Sequence, residues 1–259
     1  MHADTLTELW TAYRKREVDR TLHPEDHMFN TAKNGWDDYH AVGVSAMQVI
    51  QSVLGSSPSH RVARIMDFGC GHGRVARHLR AFFPEAEMFF VDIDGEAAKF
   101  CAAQFNGTAI TSSEDFSSLD LPKDIDLIWL GSVFTHLDYG RMNALFDILV
   151  SSLRPRGIII ATFRGEYLYR QMKAETEPNL KRKWTPLLRQ YEAGGIGYLP
   201  YDAEKNPQWG LSLSSMDRIA GMGRRHADIR LIGYTETGWA AVHDVASWAR
   251  APAPASAAA

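Results

Sequence analysis

The chain begins with two stretches of helical period. Leu6, Leu9, Trp10 and Tyr13 keep one face apolar in a helix predicted over residues 4–20, whose last turns, Arg14 to Arg20, are mostly charged. A second predicted helix runs from Asp37 to Leu54 on Tyr39, Val42, Val44, Met47, Val49, Ile50 and Val53, and stops at Gly55-Ser56-Ser57-Pro58. The pattern then changes. Val62 to Phe68 is a short apolar run that breaks into glycines, and Val75, Leu79, Phe82 and Phe83 resume at helical spacing up to Pro84. Glu87 to Asp92 is almost continuously apolar, as suits a strand covered on both faces. Asp94 caps a following helix, a short strand is predicted at Thr108–Thr111, and Asp124 to Gly131 reads as a fourth strand. An amphipathic helix over Asp138 to Leu153 carries Met142, Leu145, Phe146, Leu149 and Val150. It leads through the turn Leu153–Gly157 into a fifth strand, Ile158–Phe163.

Residues 165–215 exceed a plain connection. Gly165–Ala174 and Lys181–Tyr191 read as helical, whereas Gly194–Tyr201 and Asn206–Gly210 read as aromatic loops. Such an insertion on a rigid scaffold is a place for a substrate cap, with Tyr167, Tyr198, Tyr201 and Trp209 as its lining. Ser214 or Ser215 caps a helix through Met216, Ile219 and Met222. Ile229–Tyr234 and Trp239–Val245, joined by Thr235–Gly238, should form a closing antiparallel hairpin.

The chemistry gathers at the glycine break, Asp67-Phe68-Gly69-Cys70-Gly71-His72-Gly73. Glycine admits positive φ and close approach of another molecule, and the N–H groups opening the next helix can face a ligand. The dinucleotide fingerprint G-x-G-x-x-G fails here, because the third glycine comes one residue early and Arg74 holds the fingerprint position. No Lys-Ser or Lys-Thr follows, so a phosphate-cradling P-loop is excluded. Asp67 directly before the turn repels a polyanion and attracts an ammonium or sulfonium. Asp92 lies 23 residues after Gly69, where an acid can accept both ribose hydroxyls of a nucleoside. A glycine-rich strand-to-helix turn in some other α/β protein is the bland alternative.

Asp67 to Gly73 resembles motif I of the class I methyltransferases that use S-adenosylmethionine. Asp92 matches the acid of that family's second motif, and Gly131-Ser132-Val133-Phe134-Thr135-His136-Leu137 resembles its fourth. Leu153-x-Pro155-x-Gly157 and the closing hairpin also match, so the resemblance covers about residues 62–248. The C-terminal pieces look like a bacterial small-molecule and glycan-associated branch. The resemblance implies a three-layer α/β/α Rossmann-like fold. Its sheet would be seven-stranded and mostly parallel, with a C-terminal antiparallel hairpin, N-terminal helices and an insertion between the fifth and sixth strands.

The resemblance further implies S-adenosylmethionine as cofactor. Gly69, Gly71 and Gly73 would admit it, Asp92 with Ile93 would hold its ribose, Asp67 would serve its amino-acid portion, and Gly131 would run along its methionine end. Ser112 stands where an Asp is common in the family, which moves adenine recognition to Ser113 and Glu114. His136 is the candidate general base. Arg164, at the end of the fifth strand, can hold an anionic substrate group or face solvent in a salt bridge. The N-terminal helices of such enzymes cover the ligand, which makes Tyr39, with Trp36 and His40, either a substrate contact or packing under the cap. The expected organisation is a helical cap over residues 1–60, a methyltransferase domain over 61–250 with its insertion at 165–215, and a disordered tail at 251–259.

Composition narrows the partners. A net charge of −3 over 259 residues offers no overall basic surface for a nucleic acid, and no apolar run is long enough to span a bilayer. The polar N-terminus lacks a signal pattern, so a cytoplasmic location is expected. The two cysteines, Cys70 and Cys101, suggest neither a disulfide framework nor a zinc site. Pro24 disfavours a helix that would bring His23 and His27 together on a metal, and no metal is expected. Asn206-Pro207-Gln208-Trp209 superficially resembles the Asn-Pro-Pro-aromatic motif of base-amino methylating enzymes, but it lacks the second proline and lies outside the fourth strand. The expected function is methyl transfer from S-adenosylmethionine to a small-molecule or sugar acceptor, at a hydroxyl. The alternatives are a protein or nucleic-acid acceptor, a cofactor-binding scaffold or regulatory protein without activity, and a nicotinamide-dependent oxidoreductase. Oligomeric state is left open.

Overall fold

A computed structural model of the chain describes residues 3–29, 31–32, 35–57 and 61–253. Helix α1 (Ala3–Tyr13) and helix α2 (Trp36–Gly55) come first. The helix predicted over 4–20 ends at Tyr13, because the chain beyond it lies against the body and its carbonyls find partners there. The fully buried Arg77 donates through Nη1 to Asp19 O (2.7 Å) and Thr21 O (3.0 Å), and Arg16 donates to Ala81 O (2.7 Å).

Strands and helices then alternate: β1 (Arg64–Phe68), α3 (Ala76–Phe82), β2 (Glu87–Asp92), α4 (Gly95–Phe105), β3 (Thr108–Thr111), β4 (Ile125–Leu130), α5 (Tyr139–Ser152) and β5 (Leu153–Phe163). An insertion follows, made of α6 (Glu166–Lys173), α7 (Pro178–Gly194), β6 (Ile196–Asp202) and β7 (Asn206–Ser214). Helix α8 (Met216–Arg224) and strands β8 (Ile229–Trp239) and β9 (His243–Arg250) close the domain. The main sheet has the order β3-β2-β1-β4-β5-β9-β8, parallel through β5, with β9 antiparallel to both β5 and β8.

All six residues of β4 are buried, so its one charge needs partners. Asp126 Oδ2 accepts from the backbone of Ala63 and Arg64, each at 2.8 Å, and Arg154 pairs with the other oxygen. Apolar clusters cover both faces of the sheet. One, around Leu79, Phe82 and Met47, lies under α2–α4, and the other, around Phe146, Phe163 and Trp248, lies under α5 and α8. At the crossing of α2 and α3, Gly43 leaves room for the ring of His78, which a Cβ there would meet at 2.0 Å.

Three boundaries differ from the sequence reading. Strand β5 begins at Leu153, within the expected turn, because Leu153 already pairs with Ile125 across an irregular register. The two aromatic loops expected at 194–201 and 206–210 are β6 and β7, an antiparallel ribbon whose alternate residues, Gly197 and Leu213 among them, pack on α7. Strand β8 runs on through Thr235–Trp239, and the reversal falls at Ala240 and Ala241, both at positive φ (51° and 59°). Of the expected tail, residues 254–259 lie outside the described residues.

Candidate functional site

In the strand order β3-β2-β1-β4-β5, the chain reverses direction of travel between β1 and β4, and a crevice opens beyond their carboxyl ends. A cavity of about 250 Å³ occupies it. The turn after β1 forms its floor. Gly69, Gly71 and Gly73 have φ of 78°, 49° and 86°, which side chains rarely adopt. Gly69 and Gly73 are also tightly hemmed, since a Cβ would lie 2.3 Å from Val133 and from Phe105 respectively; of the three, Gly69 and Gly71 line the cavity and Gly73 packs behind the turn on Phe105.

Asp92 closes the end of β2. Its Oδ2 accepts from Gly71 N (2.7 Å) and its Oδ1 from Asp94 N (3.0 Å), so the carboxylate is aimed by two backbone donors. Burial raises its pKa, against the pull of those donors. Asp67, at 2 % exposure, is more extreme. Burial and then the charge of Asp92 push it up to about 8, and its Oδ2 has no hydrogen-bond partner among the described residues. An orphaned buried acid on a cavity wall is a place for a ligand donor or cation.

The sequence-predicted Ile93, Ser113, Glu114 and Gly131 all join this wall, as does Ser112. Ser113 Oγ donates to Asp115 O (2.7 Å), and the carbonyl of Glu114 is held by Arg141 Nη2 (2.9 Å). His136 lies at the opposite end, in the short helical turn after β4. Its Nδ1 is 3.1 Å from Gly210 O and 2.9 Å from the Tyr201 hydroxyl. A carbonyl only accepts, so the Gly210 contact puts the proton on Nδ1 and leaves Nε2 as the acceptor nitrogen. Burial, then the Arg164 charge, lower its pKa to about 4, so the ring is neutral at physiological pH and weakly basic.

Other predicted contacts stand elsewhere. Arg164 sits behind His136 and spends Nη1 on Thr135 O (2.5 Å). Tyr39 is 2 % exposed and donates to Asp26 Oδ2 (2.5 Å), under the N-terminal segment. Tyr198 donates to Pro207 O (2.8 Å), and Tyr167 is half-buried on α6, away from the cavity. Trp209 does line the cavity, its ring 6.2 Å from that of His136. His23 stacks on His72 at 4.4 Å, and no metal-ligating cluster exists among the described residues. Both thiols are free. Contact with Cys101, then burial, raises the pKa of Cys70, which makes it a poor nucleophile.

The sequence reading missed Asp26 and Met28, folded over the glycine turn, together with Arg74, Arg141 and Trp239. Arg141 bridges the walls by donating to Gln208 O (2.7 Å) and Glu114 O. An arginine in the first turn of α5 and another directly after the last glycine were the available signals.

Residues 66–159 match the family model described as a methyltransferase domain. A malonyl-[acyl-carrier protein] O-methyltransferase from Bacillus cereus is 25% identical over 162 residues, spanning 60% of this chain and 60% of its own length. Among solved structures, the 1,6-didemethyltoxoflavin-N1-methyltransferase of Burkholderia thailandensis, with 1,6-didemethyltoxoflavin and S-adenosylhomocysteine bound, is similar at a TM-score of 0.52. It is 15% identical, with 96% of this chain and 88% of that one covered. An S-adenosylmethionine-dependent methyltransferase from Clostridium acetobutylicum is similar at 0.52 and 11% identity, covering 86% and 94%. Residues 66–159 thus match a methyltransferase domain, and the fold is the one shared by these class I methyltransferases, whose cofactor is S-adenosylmethionine.

Proposed function

We propose that this chain transfers the methyl group of S-adenosylmethionine to an oxygen of a small-molecule acceptor. One observation carries the reading. Asp67 and Asp92, both raised in pKa, face the same cavity as Gly69 and Gly71, two glycines at positive φ. Asp92 is aimed for the ribose hydroxyls, and Asp67 for the ammonium of the amino-acid portion. Ser113 and Glu114 lie where the adenine would end, and Gly131 beside the methionine arm.

S-adenosylmethionine supplies a methyl group already activated on a sulfonium. The residues of the chain bind, align and exclude water, and such positioning lowers a barrier by about 7–11 kcal/mol. His136 Nε2 is placed to receive a hydrogen bond or proton from an acceptor hydroxyl. Its low basicity suits an acceptor oxygen that is already acidic, a carboxyl or an activated hydroxyl, better than an aliphatic alcohol. The similarity to a malonyl-[acyl-carrier protein] O-methyltransferase supports an acid as acceptor class, and a sugar hydroxyl is the second class to screen.

The test is calorimetric titration with S-adenosylmethionine, S-adenosylhomocysteine and NAD, followed by transfer of labelled methyl to small acids, thioesters and sugars. Binding of the first two and not NAD is expected. Failure of the folded protein to bind either would sink the reading.

A further inference from the structure

A second, larger cavity of about 770 Å³ lies between α2, the segment around His27 and Met28, and the strained reversal after β8. It shares two wall residues with the central cavity, Met28 and Arg74. Thr237, Ala240 and Ala241 all line it with positive φ (50°, 51° and 59°). Three non-glycine residues in that region, one near the end of β8 and two in the reversal, store backbone strain, which clusters where ligands bind.

Arg74 stands at the junction. Its guanidinium lies 5.8 Å from the centroid of the Trp239 ring, and it makes no hydrogen bond or ion pair among the described residues. The neighbouring acid, Asp26, acts on Arg74 through its charge, while its oxygens accept from the Tyr39 hydroxyl (2.5 Å) and from Met28 N (3.0 Å). This half-buried guanidinium keeps its charge and its donors unspent among the described residues, and its planar fork matches a carboxylate. The opposite wall carries the acids Asp67 and Asp92, neither of which attracts an anion.

Building on the cofactor assignment above, we infer that the second cavity is the acceptor's approach and that Arg74 holds a carboxylate of that acceptor. The acceptor is thereby an acidic small molecule, or the acidic end of one, oriented with its anion at Arg74 and its reacting oxygen toward the cofactor methyl. Arg74 is the one arginine or lysine among the described residues lining the second cavity.

The probe is malonate, titrated into the protein already saturated with S-adenosylhomocysteine, with malonamide as the neutral isostere. Malonate should bind and malonamide should not. Arg74→Gln should weaken malonate at least tenfold, with Arg74→Lys between the two. Both variants should keep wild-type affinity for S-adenosylhomocysteine and for 5′-methylthioadenosine, which lacks the amino-acid portion. Ala41→Trp, on the exposed wall of the second cavity, should weaken malonate without changing cofactor affinity. The inference is overturned if malonate fails to bind the wild-type complex or binds Arg74→Gln equally well. It is also overturned if Arg74→Gln loses S-adenosylhomocysteine but not 5′-methylthioadenosine, since Arg74 would then serve the cofactor's own carboxylate. Failure of wild type to bind S-adenosylhomocysteine would instead refute the cofactor assignment.

Discussion

The two walls of the cavity are built by different means. The floor, from Asp67 to Gly73 and on to Asp92, is short-range in sequence and made largely of backbone, with each glycine at a φ that the turn demands and Asp92 clamped by the N–H of Gly71. The roof is assembled from afar. His136 meets Gly210, 74 residues on, and Arg141 ties Glu114 to Gln208. Each wall also buries an ionisable group in its neutral form. Asp67 is held protonated up to about 8 and His136 unprotonated down to about 4. The lesson is a division of labour. A rigid floor suits a constant ligand, and a roof of side chains on a ribbon suits the variable one.

The harshest way to break that comparison is Gly73→Ala. Its φ of 86° and a Cβ 2.3 Å from the Phe105 ring together cost about 2–4 kcal/mol. Denaturant unfolding should show that loss, and S-adenosylhomocysteine binding should disappear. A stable variant that still binds would show that the floor is not rigid.

A second prediction uses pH. A ligand ammonium selects ionised Asp67, so cofactor affinity should rise with pH, about tenfold per unit from about 6 to 8, then level off. The sign follows from the raised pKa, since below it each binding event must first expel a proton. For the free protein the same shift works against stability. The penalty is absent below the ordinary pKa of 3.8, grows as pH rises and is complete above about 8. Asp67→Asn should remove the pH slope, and a slope that persisted in that variant would assign it to another group.

The roof should behave oppositely. His136→Ala should lower turnover by about 10–10²-fold, the low end of the general-base range, and leave S-adenosylhomocysteine affinity unchanged. Normal turnover would remove His136 from the chemistry. The smallest effect is expected for Tyr201→Phe. Loss of one exposed hydrogen bond to the His136 ring, about 1 kcal/mol, should reduce turnover about fivefold with no change in cofactor affinity or melting temperature. A change in cofactor affinity there would blur the distinction between the walls.

Much of the floor was legible in the chain, because its signals are local. The glycine spacing, the acid that ends β2 and the apolar runs of β1, β2 and β4 are set within a few residues of one another. The roof was less legible. Residues 194–201 and 206–210 read as loops because glycine, proline and scattered aromatics hide the alternation of a ribbon with one face on α7. Tyr39 was read as either a ligand contact or packing under the cap; it lines the second cavity, with its hydroxyl on Asp26, and only the fold brings those two together. Arg77 attracted no notice as one more charge on α3, although it is fully buried and fastens the N-terminal segment to the glycine turn through Gly73 O (2.9 Å), Asp19 O and Thr21 O.

By itself, then, the sequence determined the order of the main-sheet elements, their parallel pairing and the glycine-turn wall of the cavity, since periodicity, glycine conformation and strand-end acids act over short distances. Only the tertiary structure decided which charges are paired and which are held open. It commits Arg164 to Thr135, Arg141 to two carbonyls and Asp26 to Tyr39, and leaves Asp67 and Arg74 facing the cavity. The physical reason is that desolvation and pairing depend on everything packed around a charge, and most of those neighbours arrive from distant parts of the chain.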